Sequence, residues 1–230
     1  MTVAWSADAR VGMALVLAAV LLVARATSRA AEEPKQASPW EKVIQGFEGR
    51  DAKMPPPKGA ILFAGSSSIV GWNMPQCFPG LVTINRGFGG SQIADSTQFA
   101  DRFIIPRAPR TIVFYAGDND IASGNAPERV LEDYKAFVKT VHDALPETRI
   151  IFIAIKPSIA RWKLWEKMKA ANALIEEHAK ADKRLAYLDI ATPMLGEDGK
   201  PKPELLAKDG LHLSAAGYEL WTKLLVPHLK

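Results

Sequence analysis

Thr111-Ile112-Val113-Phe114-Tyr115-Ala116-Gly117-Asp118-Asn119-Asp120 is the stretch that decides the fold. Its first half carries no charge and is rich in β-branched and aromatic residues, the pattern of a strand buried on both faces. A glycine and three short polar residues then end it abruptly. Strands buried on both faces belong to a parallel sheet covered by helices on either side. In such sheets ligands sit beyond the carboxyl ends of the strands, where Gly117–Asp120 falls.

The same alternation extends in both directions. Strands are predicted over Ala60–Ala64, Leu81–Asn85, Thr111–Ala116, Arg149–Ile155 and Leu185–Asp189, the middle three apolar on both faces. Helical periods cover Ile93–Phe103, Pro127–Ala144, Ala160–Ala181 and Ser214–His228, the last opening on Ser214 as N-cap. The expectation is an α/β fold, a three-layer α/β/α sandwich around a mostly five-stranded parallel sheet, occupying residues 59–230. Ahead of it, residues 31–58 form a Pro-rich lead-in with a short helix over Pro39–Arg50. The prolines at 55–57 favour a stiff, extended approach to the first strand.

Residues 1–30 have a different composition. Val11–Ala24 is an unbroken apolar run behind Arg10. As a helix it would reach only roughly 21 Å, short of the roughly 30 Å hydrocarbon core of a bilayer. Small residues follow at Ala24-Arg25-Ala26 and Ser28-Arg29-Ala30, the pattern cut by signal peptidase. We expect an export signal, leading to a periplasmic or secreted protein, with an uncleaved signal anchor at residues 11–24 as the alternative and the only membrane attachment.

This segment holds three Arg and one Asp, so without it the formal charge falls from +4 to +2. The remaining Lys and Arg are interspersed with Asp and Glu, as on solvated helix faces, which argues against a nucleic-acid partner. Cys77, the single cysteine, cannot form an internal disulfide and has no metal-ligand spacing around it; it reads as a small buried residue. No metal site or cofactor is expected. The glycines of Asn85–Gly90 fail the dinucleotide pattern, because Gln92 stands where a further glycine is required, and Gly65–Ser68 lacks the ending of a phosphate loop.

A serine hydroxyl becomes a useful nucleophile when a histidine takes its proton and a carboxylate holds that imidazole in the right tautomer. Of the four histidines, His212 has the right company. Asp209 precedes it by three residues, and Gly210 lets the chain between them turn, though Asp-x-x-His also occurs as local backbone chemistry at helix starts. His142, His178 and His228 read as solvated or helix-terminal residues. A tetrahedral intermediate also needs donors aimed at its oxyanion. The Gly90 N–H and the Asn119 side-chain amide are candidates, although each taken alone reads first as a turn residue.

Together these residues resemble the SGNH hydrolases, the GDSL esterase/lipase family, whose blocks occur in order: Phe63–Ser68, Asn85–Gly90, Gly117–Asp120 and Asp209–His212. The resemblance implies a flavodoxin-like fold and makes Ser67 the nucleophile, with Asp209 and His212 as its acid and base. It also makes the Ser67 N–H, Gly90 and Asn119 the oxyanion donors. The family's usual Gly-Asp-Ser has become Gly65-Ser66-Ser67, so Ser66 and Ser68 flank the nucleophile as decoys. Tyr115–Asp120 and Lys156-Pro157-Ser158 followed by Arg161-Trp162 look like the platelet-activating-factor acetylhydrolase-like branch, which implies short acyl groups.

The implied activity is that of a cofactor-independent serine ester hydrolase acting on a small-molecule, glycan or lipid ester. A carbohydrate O-acetyl esterase, a lysophospholipase or a thioesterase would share the fold. A non-catalytic glycan- or lipid-binding domain is the rival from another class. Trp72 and Trp162 are candidates for the substrate pocket, although Trp162, Trp165 and Met168 also fall at helical core spacing. Arg86, Lys156 and Arg161 could steer an anionic substrate but read first as solvated surface.

Overall fold

The computed structural model describes residues 1–2 and 38–229; the apolar run at 11–24 and the lead-in up to residue 37 lie outside the described residues. Among the described residues no helix is long and apolar enough to cross a membrane.

In chain order the elements are α1 (Glu41–Lys53), β1 (Ile61–Gly65), α2 (Ser67–Val70), α3 (Met74–Cys77), β2 (Thr83–Gly87), α4 (Ile93–Gln98) and α5 (Ala100–Phe103). There follow β3 (Thr111–Tyr115), α6 (Asp118–Ala122), α7 (Pro127–Ala144), β4 (Arg149–Ile153), α8 (Trp165–Ala179), β5 (Leu185–Leu188) and α9 (Ala215–Leu225). The five strands form one sheet in the order β2-β1-β3-β4-β5, every pair parallel.

Every residue of β1 and β3 is buried, as their unbroken apolar runs require in the middle of a covered sheet. The helix layer closes on them through ring contacts, with Phe114 stacked on Phe137 of α7 at 4.1 Å between centroids. β2 differs from the expectation: it starts at Thr83, and Leu81 and Val82 are exposed. Gly80, with φ 79, turns the chain just before it, and Leu81 N–H closes that turn on Phe78 O. β2 is therefore an edge strand rather than one buried on both faces.

Helix boundaries also shift where side chains rather than periodicity decide. The helix expected over 93–103 is broken at Phe99, whose backbone leaves helical geometry between α4 and α5. α4 starts from a capping box in which Gln92 N–H donates to Asp95 Oδ2 at 2.8 Å. The long helix expected from Ala160 begins as a 3-10 turn at Trp162–Leu164 and becomes α-helical at Trp165. Ser214 caps α9, accepting from Gly217 N–H at 3.1 Å, while Pro227 ends that helix in a 3-10 turn.

The chain leaves β1 in one direction across the sheet and β3 in the other, so a crevice opens between their carboxyl ends. Gly65 ends β1, and Gly117, two residues past the end of β3, is the N-cap of α6.

Candidate active site

The β1–α2 turn places Ser67. Gly65 adopts φ 121, and a Cβ there would lie 1.9 Å from Tyr115 O, so only glycine lets β1 pass this close to β3. Ser66 N–H bonds to that same Tyr115 O, and Ser67 becomes the first residue of α2. Ser66 and Ser68 are each 1% exposed, whereas Ser67 is half-buried. Of the three hydroxyls, Ser67 Oγ therefore faces the crevice.

Ser67 Oγ lies 3.1 Å from His212 Nε2, across 145 positions of sequence. On the other side of the ring, His212 Nδ1 lies 2.6 Å from Asp209 Oδ2. A carboxylate only accepts, so Nδ1 carries the hydrogen and Nε2 is left to accept from the serine. The loop is built to hold that geometry. Asp209 Oδ1 accepts from the N–H groups of Leu211 and His212, both at 2.9 Å, and Ala207 N–H bonds to His212 O at 2.7 Å. The bond from the His212 imidazole foremost, then those from the Leu211 and His212 backbone N–H groups, hold the Asp209 carboxyl well below its ordinary range, so it is ionised beside the imidazole.

Gly89 and Gly90 form the next wall. Phe88 N–H bonds to Gly65 O at 2.9 Å, and Ser91 N–H closes a turn on Phe88 O at 3.4 Å. Gly90, with φ 80, takes the third position of that turn, which demands a left-handed residue. A Cβ on Gly89 would come within 3.7 Å of Ser67 Cβ, so the turn abuts the serine. The N–H groups of Ser67 and Gly90 have no protein partner among the described residues. Ser67 N–H is additionally one of the unpaired donors at a helix start.

Asn119, on α6, closes the crevice. Its Nδ2 donates to Ser91 O at 3.0 Å, tying the β3 loop to the Gly90 turn, and its Oδ1 accepts from Arg161 Nη2 at 3.0 Å. Ser67, Gly90, Asn119, Asp209 and His212 thus occupy one crevice at the carboxyl edge of the sheet. Among the described residues no cluster of His, Cys, Asp or Glu has metal-site geometry.

Other expectations change. Trp72 is 2% exposed, donates from Nε1 to Thr222 Oγ1 at 3.0 Å, and packs among Phe63, Phe78, Tyr218 and Trp221. It is a core residue, and the hollow it borders includes neither Ser67 nor His212. Trp162 is partly exposed and stacks on the buried Trp165 at 6.1 Å. It lines two clefts of about 460 and 420 Å³. The second also includes Ile159, which abuts Gly210 of the histidine loop. A hollow of about 710 Å³ between Trp72 and Asn85 contains none of Ser67, Gly90, Asn119, Asp209 and His212.

Arg86, Lys156 and Arg161 are not solvated. Arg86 is paired with Asp51 of α1, Lys156 is 2% exposed against Asp118 and Tyr115, and Arg161 reaches Asp118 and Asn119. His142 is tied to Thr148 O at 3.0 Å, and His178 packs edge-on against Tyr134. Cys77 is half-buried rather than buried.

One site neighbour carries no mark in the sequence. Trp40, just before α1, lies beside Gly90, its Cη2 at 3.1 Å from where a Cβ would stand, and packs edge-on against Phe88. Asn85, which opens the glycine block, ties β2 to α2 by donating to Ile69 O at 2.7 Å, and it accepts from Gly87 N–H of its own strand at 2.9 Å.

A sequence model described as the GDSL-like Lipase/Acylhydrolase family matches residues 64–220, which include every residue of the crevice. The chain belongs to this family. Membership makes it a carboxylic ester hydrolase. Among solved structures, the acylhydrolase is similar to a Streptococcus pneumonia protein provisionally named a platelet activating factor. The identity is 25%, the TM-score 0.75, and the match covers 83% of this chain and 92% of that one. It is similar in fold to a GDSL-like lipase from Bacteroides thetaiotaomicron, at 22% identity, TM-score 0.71 and coverage of 80% and 96%. A Clostridium thermocellum family 3 carbohydrate esterase shares the fold at 16% identity, TM-score 0.57 and coverage of 75% and 97%. No curated protein matches the acylhydrolase significantly in sequence.

Proposed function

We propose that this acylhydrolase cleaves short-chain acyl esters through a covalent acyl-Ser67 intermediate. The observation that carries the reading is the relay from Ser67 Oγ to His212 Nε2, 3.1 Å, and from His212 Nδ1 to Asp209 Oδ2, 2.6 Å. His212 takes the serine proton as Oγ attacks the ester carbonyl carbon. The resulting imidazolium is stabilised by ionised Asp209 and returns the proton to the departing alkoxide. Water then repeats the cycle on the acyl-enzyme and releases the carboxylic acid. The oxyanion of each tetrahedral intermediate is received by the N–H groups of Ser67 and Gly90 and by Asn119 Nδ2.

Support for this oxyanion site is that both backbone donors lack protein partners and that Ser91 O binds Asn119 beside the Gly90 turn. Ser67→Ala should abolish turnover of p-nitrophenyl acetate while the thermal melt is unchanged. Wild-type turnover in that variant would move the nucleophile elsewhere.

A carbohydrate ester is the second reading, favoured by Trp162, which presents an aromatic ring to a cleft also lined by Tyr187, Glu166 and Asp189. A panel of acetylated sugars against p-nitrophenyl esters of rising chain length separates the two by kcat/KM. We further propose that the enzyme works outside the cytoplasm, on the strength of the apolar run at 11–24. Intact mass of protein recovered from the cell envelope and the medium tests it, and full-length protein confined to the cytoplasm would refute it.

A further inference from the structure

Asn119 is held at its two ends by partners of opposite character. A guanidinium offers only donors and a carbonyl only accepts, so Arg161 fixes which end is Oδ1 and Ser91 O fixes which end is Nδ2. A flipped amide would face donor to donor on one side and acceptor to acceptor on the other. One Nδ2 hydrogen is used by Ser91, and the second has no protein partner among the described residues.

Arg161 is itself braced from behind. Its Nη1 lies 3.3 Å from Asp118 Oδ2, and that oxygen accepts from Lys156 Nζ at 3.0 Å. Lys156 Nζ also reaches Tyr115 Oη at 3.2 Å, on β3. The Asp118 and Lys156 side chains are 6% and 2% exposed and that of Arg161 21%, so the cluster is largely removed from water. Burial pushes the Asp118 carboxyl up, but Lys156 and Arg161 draw it down by more, and it stays ionised. Two cations facing one carboxylate leave a net positive charge directly behind the Asn119 amide.

We propose that Arg161 is a positioning residue for ester hydrolysis: it acts through Asn119, orienting the amide toward the reacting carbonyl and polarising its Nδ2–H, while Asp118 and Lys156 hold the guanidinium in place. This rests on the reading of Asn119 as an oxyanion donor. A charged donor on Oδ1 withdraws electron density from the amide and strengthens the hydrogen bond it gives. The benefit grows as negative charge develops on the substrate oxygen, so it belongs to the transition state and falls on kcat. A surface arginine that merely attracted an anionic substrate would instead act on KM and fade with salt.

The test is a double-mutant cycle on p-nitrophenyl acetate hydrolysis. Arg161→Ala should lower kcat by about 10- to 100-fold, less than loss of the donor itself, with KM within about twofold. Millimolar guanidinium chloride should restore part of that loss. In an Asn119→Ala background the same substitution should cost less than about twofold and show no rescue. An unchanged kcat in folded Arg161→Ala, or an equal loss in the Asn119→Ala background, would overturn the inference while leaving Asn119 in its role. If Asn119→Ala itself left kcat unchanged, the oxyanion assignment would fall and this inference with it. Arg161→Lys keeps a charge beside Asp118 and so protects the fold. It should still lose threefold or more in kcat, because one ammonium cannot hold Asn119 and Asp118 in the guanidinium's planar geometry; full activity there would equally count against the inference.

Discussion

Ser67 stands between two hydroxyls whose burial removes them from the chemistry. The Oγ atoms of Ser66 and Ser68 are buried without a hydrogen-bond partner. Ser66→Ala and Ser68→Ala should therefore each keep kcat/KM within about threefold, because neither change strands a partner; a larger loss would give one of them a part in catalysis. Asp120 makes a second residue-level case. Its carboxyl is fully buried, with Oδ1 accepting from Ile93 N–H at 3.1 Å and Oδ2 unpartnered. Burial pushes it up from 3.8 to about 6. The folded state thus binds a proton that the unfolded chain has already lost. The associated stability is complete below about pH 4 and disappears as pH rises through 6, a change on the order of 3 kcal/mol. Asp120→Asn keeps the acceptor without the charge. Its stability relative to wild type, from urea unfolding, should rise between pH 4 and pH 7, and a difference flat across that range would contradict the assignment.

At the scale of elements, α1 is attached to the sheet by buried charge. Arg86 on β2 pairs with Asp51 on α1, both side chains under one-tenth exposed, and Arg107 lies 3.3 Å from the other oxygen of Asp51. Arg86→Met should destabilise the fold by on the order of 3 kcal/mol, because it leaves the Asp51 carboxylate buried with one weak partner. Adding Asp51→Leu should recover part of that loss in urea unfolding, and a further loss in the double variant would show that the pair itself drives docking. The sequence offered no sign of this pairing. A short apolar run announces β3, and Pro127 with a regular apolar period announces α7 to the residue, since both depend on local pattern. Lys156 and Asp118 meet across 38 positions, and Arg161 and Asn119 across 42, so neither residue carries a local mark of its burial. Trp72 carries no local mark of its burial for the same reason: its place in the core depends on Tyr218 and Trp221 of α9 packing against it.

Across the whole molecule, the parallel sheet gathers at one edge what the chain keeps apart. β1 brings the serine, β2 the glycine turn, β3 the asparagine, and the segment after β5 the histidine loop, all at the carboxyl ends of strands. Those parts were legible because each needs a residue type that few alternatives can replace. The arrangement of clefts around Trp162 was not legible, because it depends on how the 3-10 turn at Trp162–Leu164 packs against the loop at 196–203. The central claim joins Ser67 to His212, and fluorophosphonate labelling followed by peptide mass mapping tests it most directly. One adduct on Ser67 is expected, absent in Ser67→Ala and slowed by at least about 10³-fold in His212→Ala. An adduct on another serine, or labelling at the wild-type rate without the imidazole, would contradict it.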